Sequence, residues 1–384
     1  MPDPRHAFEL WEAGQSIEVV CRSLRCSRSW FYKWQARYAS GRADWFERLS
    51  RSPHAPARQT PDEVLEAVKM TRLSLYNKGV FYGAQAIRWE LEDLAVQPLP
   101  SLRTINRILA REDLTHRRTG RYQSQQRRYP RLEASQPNQV HQADFVGPCY
   151  LHGATRFYSY NSVDLATGRC AVEPVHERGG QAVINAIWAV WWRLGLPVNQ
   201  QVDNELVFYG SPVHPRGLGQ LIRLCLAYGV EPWFIPPREP WRNGVVEKFN
   251  HHYRQRFLAR CQISGHDVLR QQSLAFEKRH NQVYRYSKLR GQTPAQSLQL
   301  AKTALRWPPT KAPPGCPLNK PKHGRYHLVR YIRSDRRLDV FGEKFELPVE
   351  ATYEYVVATV VVAQQKLQVR VGEELIEQFD YRLF

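Results

Sequence analysis

Three acidic residues stand out by their settings: Asp144 in VHQADFVG, Asp203 in VNQQVDN and Glu247 in PPREPWRNGVVEKFNHHYR. The first two runs have β character and each carries its aspartate toward its carboxyl end. In sheets built from alternating strands and helices, groups that act on ligands gather beyond such ends, so neighbouring strands could bring the two aspartates together. Three carboxylates converging without a cation repel one another. Mg²⁺ or Mn²⁺, hard ions that take oxygen ligands, would relieve the repulsion and create a two-metal site for in-line attack at phosphorus.

The element that must position Glu247 is a helix beginning after Pro240, because Pro236, Pro237 and Pro240 keep the preceding stretch extended. Asn243 is its expected N-cap. Val246, Phe249 and Tyr253 recur at helical spacing and face a core, while Asn243, Glu247, His251 and Arg254 line another face. A lone glutamate on a helix is ordinarily a solvated side chain. Its company upstream sets this one apart.

With HQADFVG, QVDNELVF and WRNGVVEKFNHHY in this order, the chain resembles the integrase-core (DDE, ribonuclease-H-like) transposases of bacterial insertion sequences, related to retroviral integrases. The resemblance covers roughly residues 136–294 closely. It implies that Asp144, Asp203 and Glu247 are both catalytic residues and metal ligands for two Mg²⁺ (or Mn²⁺) ions. Asp144 would bridge the ions, with Asp203 completing one coordination shell and Glu247 the other. Basic residues at the offsets of His251 and Arg254 are similar to those that hold viral DNA ends, which sets DNA contact by Asn243, His251 and Arg254 against a solvated helix face. Two departures stand out: Asn204-Glu205 follows Asp203 where many relatives have Asn-Gly, and the interval from Asp203 to Glu247 is long, implying an excursion before the Glu helix.

A chain of 384 residues with a net charge of +19 has room for several domains and attracts polyanions. Seven scattered cysteines form no paired framework and no CxxC ligand set, which fits a reducing cytoplasm. The start lacks the regions of a signal peptide, and the most apolar run, 183–192, is too short to span a bilayer. The expectation is a cytoplasmic, nucleoid-associated bacterial protein with no membrane partner.

The chain divides by composition. Residues 1–40 read as a helix-turn-helix domain whose third helix offers Arg28, Tyr32, Lys33 and Arg37 to DNA, against a small bundle with a basic solvated face. A linker at 41–60 leads to a second helical DNA-binding domain at 61–112, in which Ile87, Leu91 and Leu94 pack against Ile105, Ile108 and Leu109, leaving Arg103 and Arg107 outside. A basic linker at 113–136, with Arg117, Arg118, Arg127 and Arg128, is either a phosphate-contacting arm or a solvated spacer. The catalytic core spans 137–304. Asp164 in this stretch is expected to cap a turn rather than join the acidic set. After a proline-rich linker at 305–323, six short runs of β character at 324–384 fit a small antiparallel β-barrel, with Arg325, Arg330, Arg333, Arg336 and Arg337 as a basic surface.

The expected fold class is therefore multidomain: α-helical helix-turn-helix modules, an α/β ribonuclease-H-like core, and the small barrel. The expected function is a DNA transposase/integrase that binds mobile-element ends in double-stranded DNA as a homo-oligomer and performs metal-dependent nicking and strand transfer into target DNA. A catalytically silent DNA-binding regulator and a metal-dependent nuclease are the rival readings.

Overall fold

The run QAVINAIWAVWWRL is apolar on most sides, so it forms a helix where protein covers most of it. The computed structural model describes residues 2–48, 60–115, 128–151, 155–211, 213–214 and 216–383, and in it the chain falls into two compact units, 1–61 and 62–384. Arg117, Arg118 and Arg127 lie outside the described residues.

In the first unit, α1 (Pro4–Glu12), α2 (Ile17–Ser23) and α3 (Arg28–Tyr38) close over Ala7, Phe8, Val20, Cys21, Phe31 and Trp34. Phe8 and Phe31 stack with ring centroids 5.1 Å apart. Ser27 caps α3 by accepting from the Trp30 amide at 3.1 Å. Ser16, at the matching position of α2, makes no side-chain cap bond.

The second unit opens with α4 (Asp62–Asn77), α5 (Ala84–Asp93) and α6 (Leu102–Arg111). Ile87, Leu91, Ile105, Ile108 and Leu109 are buried together as expected, but Leu94 lies one position past the end of α5 and is 64% exposed. This helical module shares its core with Tyr284 of the later chain, and Tyr284 Oη donates to the Gly79 carbonyl at 2.6 Å.

The central sheet is built from β1 (Val140–Tyr150), β2 (Arg156–Asp164), β3 (Cys170–Val175), β4 (Asn199–Val202) and β5 (Glu231–Phe234). β1, β2 and β3 form an antiparallel meander, while β4 runs parallel to both β1 and β5. α7 (Gly180–Leu194) is the apolar run; its Trp188 and Trp191 are fully buried, and their indoles donate to Thr310 O and Gln200 Oε1. α8 (Leu206–Tyr209) and a loop bridged between Gly210 and Leu218 take up the long interval after Asp203, before α9 (Gln220–Ala227). α7 and α9 cover one face of the sheet. α10 (Gly244–Tyr253) and α11 (His266–Val283) cover the other around Val163, Cys170 and Val172. α12 (Pro294–Ala301) starts at a complete capping box made by Thr293 and Gln296.

The carboxyl-terminal strands fall where their alternation placed them, as β6 (Arg325–Tyr331), β7 (Arg337–Val340), β8 (Glu343–Glu346), β9 (Tyr355–Val361), β10 (Lys366–Val371) and β11 (Glu374–Asp380). They do not close on themselves as the expected barrel. β6 pairs parallel with β5, and β9, β10 and β11 continue outward, giving an open sheet in the order β11-β10-β9-β6-β5-β4-β1-β2-β3 among the described residues. β7 and β8 form a separate hairpin. The physical reason is burial: Tyr326, Leu328, Val356, Ala358 and Val360 join the same apolar cluster as Val202, Phe234 and α7. Arg330, read as part of a basic surface, is likewise buried, donating to Asp339 O, Val329 O and Asn204 Oδ1.

Behind α10, the fully buried His280 lies 3.2 Å from Cys170 Sγ and 2.6 Å from Tyr286 Oη, among the rings of Phe249, Phe276 and Tyr284. Burial, helped by Arg256, lowers its pKa from 6.5 to about 4, against a smaller raising effect from Asn281. The folded protein therefore refuses a proton that the unfolded chain accepts, so this contribution to stability is complete above about pH 6.5 and is lost as pH falls toward 4. In urea denaturation, the advantage of the wild type over His280→Gln should shrink by about 2–3 kcal/mol between about pH 7.5 and about pH 4.5. A constant difference would count against this assignment.

Candidate active site

Side chains alternate along β1, so Ala143 and Phe145 enter the cluster under α7 while Asp144 turns to the face that α10 covers. Pairing of β1 with β4 ends at Gln142 and Gln201, which puts Asp144 and Asp203 each two residues past the last paired position, at the same end of the two strands. β1 itself runs on past Gly147-Pro148 to Tyr150 through a bulge, so Asp144 lies at mid-strand rather than near the carboxyl end as expected. Gly147 in that bulge has φ +132°, and a Cβ there would meet Tyr158 Cδ1 at 2.8 Å.

The same alternation gives Gln142 and Gln201 a common task. Gln142 Oε1 accepts from the amides of Val245 and Val246 at 3.0 and 3.3 Å, capping the first turn of α10 from outside the helix. Gln201 Nε2 donates to Arg242 O at 3.0 Å and Asn243 Oδ1 at 3.3 Å. Asn243 occupies the N-cap position but makes no side-chain cap bond; it is buried and donates to Ala143 O at 3.0 Å. It thus leaves the set of DNA-facing side chains and becomes a staple between α10 and β1. The sequence carried a signal for the two glutamines that its reading missed, a Gln-x-Asp repeated at Gln142 and Gln201. Asn250, one turn below Glu247, donates to Asp144 Oδ2 at 2.8 Å and accepts from Asn161 at 2.8 Å.

The loop after β4 is also fixed. The Glu205 amide donates to Asp203 Oδ1 at 3.0 Å, closing an Asx turn. Asn204 Nδ2 donates to Ile235 O at 2.5 Å and its Oδ1 accepts from Arg330. Asn204-Glu205 therefore fits this turn without glycine, and Glu205 enters as a fourth carboxylate, paired with Arg178 at 2.5 Å.

These acids influence one another. Burial first, then Asp203, Glu205 and Glu247, pushes Asp144 up to about 7, against a smaller lowering by the Phe145 amide. Asp203 is raised by burial against the opposing Glu205 amide and Arg178. Glu205 is raised by burial and by Asp203, and Glu247 by burial and by Asp203. Among the described residues, however, no group of three His, Cys, Asp or Glu side chains lies close enough to hold a metal ion. The donor chemistry nevertheless suits a hard divalent cation: oxygen ligands only, partly desolvated and crowded by like charge.

The other expected residues are dispersed. His251 and Arg254 are exposed at the end of α10, with no ion-pair partner among the described residues, and Arg254 opens a π-helical turn, Arg254–Leu258. Arg254 borders a hollow with Cys149, Tyr150 and Phe157. On α3, Tyr32 and Lys33 are exposed, Arg28 is paired with Glu18, and Arg37 turns back to donate to Glu47 O at 3.0 Å. Arg103, Arg107 and Arg128 are exposed. Asp164 accepts from the amides of Ala166 and Thr167, capping its turn.

Residues 228–294, which include Glu247 but neither aspartate, match the integrase core domain family, and residues 5–46, essentially the first unit, match the homeodomain-like domain family. The chain thus joins a homeodomain-like segment to an integrase core segment. No curated protein matches it. Solved structures similar to it include the HTLV-2 integrase catalytic core domain in complex with magnesium, at 18% identity over 43% of this chain and 98% of that one, TM-score 0.34. The simian T-cell lymphotropic virus intasome in complex with PP2A regulatory subunit B56 gamma matches at 14% identity over 83% and 97%, TM-score 0.39. The catalytic core domain of BIV integrase matches at 16% over 43% and 96%, TM-score 0.33.

Two outcomes follow from this geometry. Asp144→Asn keeps an oxygen for Asn250 and removes a crowded charge, so in divalent-free buffer near pH 7.5 it should raise the unfolding free energy by about 1–3 kcal/mol. A less stable variant would show that the carboxylates do not repel. Gln142→Ala strips two helix amides of their acceptor and should cost about 1–2 kcal/mol in urea denaturation, whereas no loss would mean that water replaces the cap.

Proposed function

We propose that the protein is a DDE-type transposase that nicks the ends of a mobile DNA element and joins the freed 3′ ends to target DNA. The observation that supports this best is that Asp144, already raised by burial, is raised further by Asp203 and Glu247, and Glu247 in turn by Asp203, at the strand ends beneath α10. Asp144, Asp203 and Glu247 would hold Mg²⁺ or Mn²⁺, two ions per site, which when bound activate the attacking oxygen and stabilise the leaving oxygen. Glu205, held by Arg178, keeps the loop of Asp203 in place.

The protein's own groups then bind and orient the strand. Tyr32 and Lys33 of α3 face the element end, and Arg103 and Arg107 of α6 add phosphate contacts. His251, near the end of α10, and Arg254, in the turn that follows it, would contact the DNA strand as it leaves the acidic centre. Joining exchanges one phosphodiester for another, so no nucleotide energy source is required. Double-stranded element ends and target DNA are the partners, with the chain acting as a homo-oligomer in the bacterial cytoplasm, on the nucleoid. No helix among the described residues is long and apolar enough to cross a membrane.

The test uses the full chain, labelled element ends, Mg²⁺ and a plasmid target. Joined products support the proposal, nicks alone would make the protein a nuclease, and binding alone a silent regulator. Asp144→Asn, Asp203→Asn and Glu247→Gln should each lower joining by about a hundredfold or more while leaving end binding within about twofold. Near-normal activity in any one of them removes that residue from the proposed set.

A further inference from the structure

One residue beyond Glu247, on the side of α10 that meets the helical module, a cavity of about 740 Å³ opens between α4–α6 and the later chain. Five cations line it: Arg72, Lys248, Arg256, Arg285 and Lys288. Four rings accompany them: Phe81, Tyr82, Trp89 and Tyr286. Among the described residues, no aspartate or glutamate lines it, and Arg285 alone of the five cations has a carboxylate partner, Asp93 at 2.6 Å.

The guanidinium groups of Arg72 and Arg256 lie over rings without a carboxylate partner among the described residues, and Arg285 has both. Arg72 lies 4.1 Å from the Tyr82 ring centre, Arg256 lies 5.0 and 5.1 Å from those of Phe81 and Tyr82, and Arg285 lies 5.0 Å from that of Trp89. Cation–π contact fixes such groups without neutralising them. Gly291 lets the module come this close: it has φ +86°, and a Cβ there would meet Trp89 at 2.9 Å. Positive charge and aromatic rings in one recess suit a phosphate joined to a planar base. A recess of this volume takes a nucleotide-sized group, whereas a duplex, whose major groove alone is about 12 Å wide, cannot enter.

Resting on the DNA reading above, we infer that this cleft receives an unpaired nucleotide of the DNA strand lying next to the carboxylate site, its phosphate among the cations and its base against the rings. Lys248, the residue after Glu247 on α10, lines the cleft, so the helix that carries the glutamate also forms part of the cleft wall. α6 supplies Asn106 to the wall and carries the exposed Arg103 and Arg107 outside it. A strand followed by those arginines therefore leads from the helical module past the cleft to the acids.

The test measures binding of the full chain by fluorescence anisotropy to a blunt duplex and to the same duplex with a short unpaired tail containing 2-aminopurine. The tail should strengthen binding about tenfold, with quenching of 2-aminopurine on stacking. Gln85→Glu, an isosteric change that puts a carboxylate in the wall, and Lys248→Ala, at an exposed position, should both cut that preference to about twofold or less while the blunt duplex binds nearly as before. Tight binding of the blunt duplex with no gain from the tail overturns the cleft assignment and leaves the DNA reading standing. Failure to bind either duplex overturns the DNA reading as well. A preference and quench unchanged in both variants would place the tail elsewhere. Free dAMP that binds and is blocked by Gln85→Glu, without any tail preference, would overturn the strand in favour of a mononucleotide.

Discussion

Burial, and after it the neighbouring acids, raises the proton affinity of Asp144, Glu205 and Glu247 around the ends of β1 and β4, so each element that holds them acts against the cost of crowded, partly desolvated charge. The countermeasure is a set of amide side chains that bond without adding charge. Gln142 and Gln201 tie the start of α10 to the two strands, Asn243 returns a bond to β1, and Asn250 meets Asp144 itself. A buried amide group satisfies backbone donors and acceptors at no electrostatic cost to neighbouring carboxylates, which a lysine or another glutamate could not do. Preorganisation of a charge-dense centre thus depends on neutral groups two residues before each aspartate.

The support extends well beyond the residues that match the integrase core domain. Arg330, on β6, reaches the loop after Asp203 through Asn204, so the carboxyl-terminal strands help set the position of an acid contributed more than a hundred residues earlier. On the opposite side, α4–α6 share an apolar core with Tyr284, and Phe81 packs against Tyr284 and Tyr286. What composition divides into separate modules, side-chain packing joins into one unit from Asp62 onward.

Much of the layout of strands and helices from β1 to α12 was legible because it is written in local terms. Alternation marked the strands, apolar runs marked α7, and three prolines delimited the approach to α10. The residues that went unread depend on partners distant in the chain. Gln142 and Gln201 are unremarkable polar residues until α10 lies above them. Arg330 looked like surface because an isolated arginine ordinarily is, and the carbonyls of Ile235, Val329 and Asp339 with Asn204 make its burial tolerable. The closed barrel was expected because short alternating strands do not reveal which edge will be covered. Here the edge of β5 was open, and β6 took it.

That last pairing bears on how the protein can be divided. The proline-rich connector after α12 looks like a place to cut, yet a fragment ending there would bare the hydrogen-bonding edge of β5 and the apolar side chains that β6 and β9 cover. Unpaired edges beside exposed apolar surface invite association with other chains. The smallest piece of the second unit that could fold by itself is therefore set by the sheet's hydrogen bonding, and it includes β6 to β11.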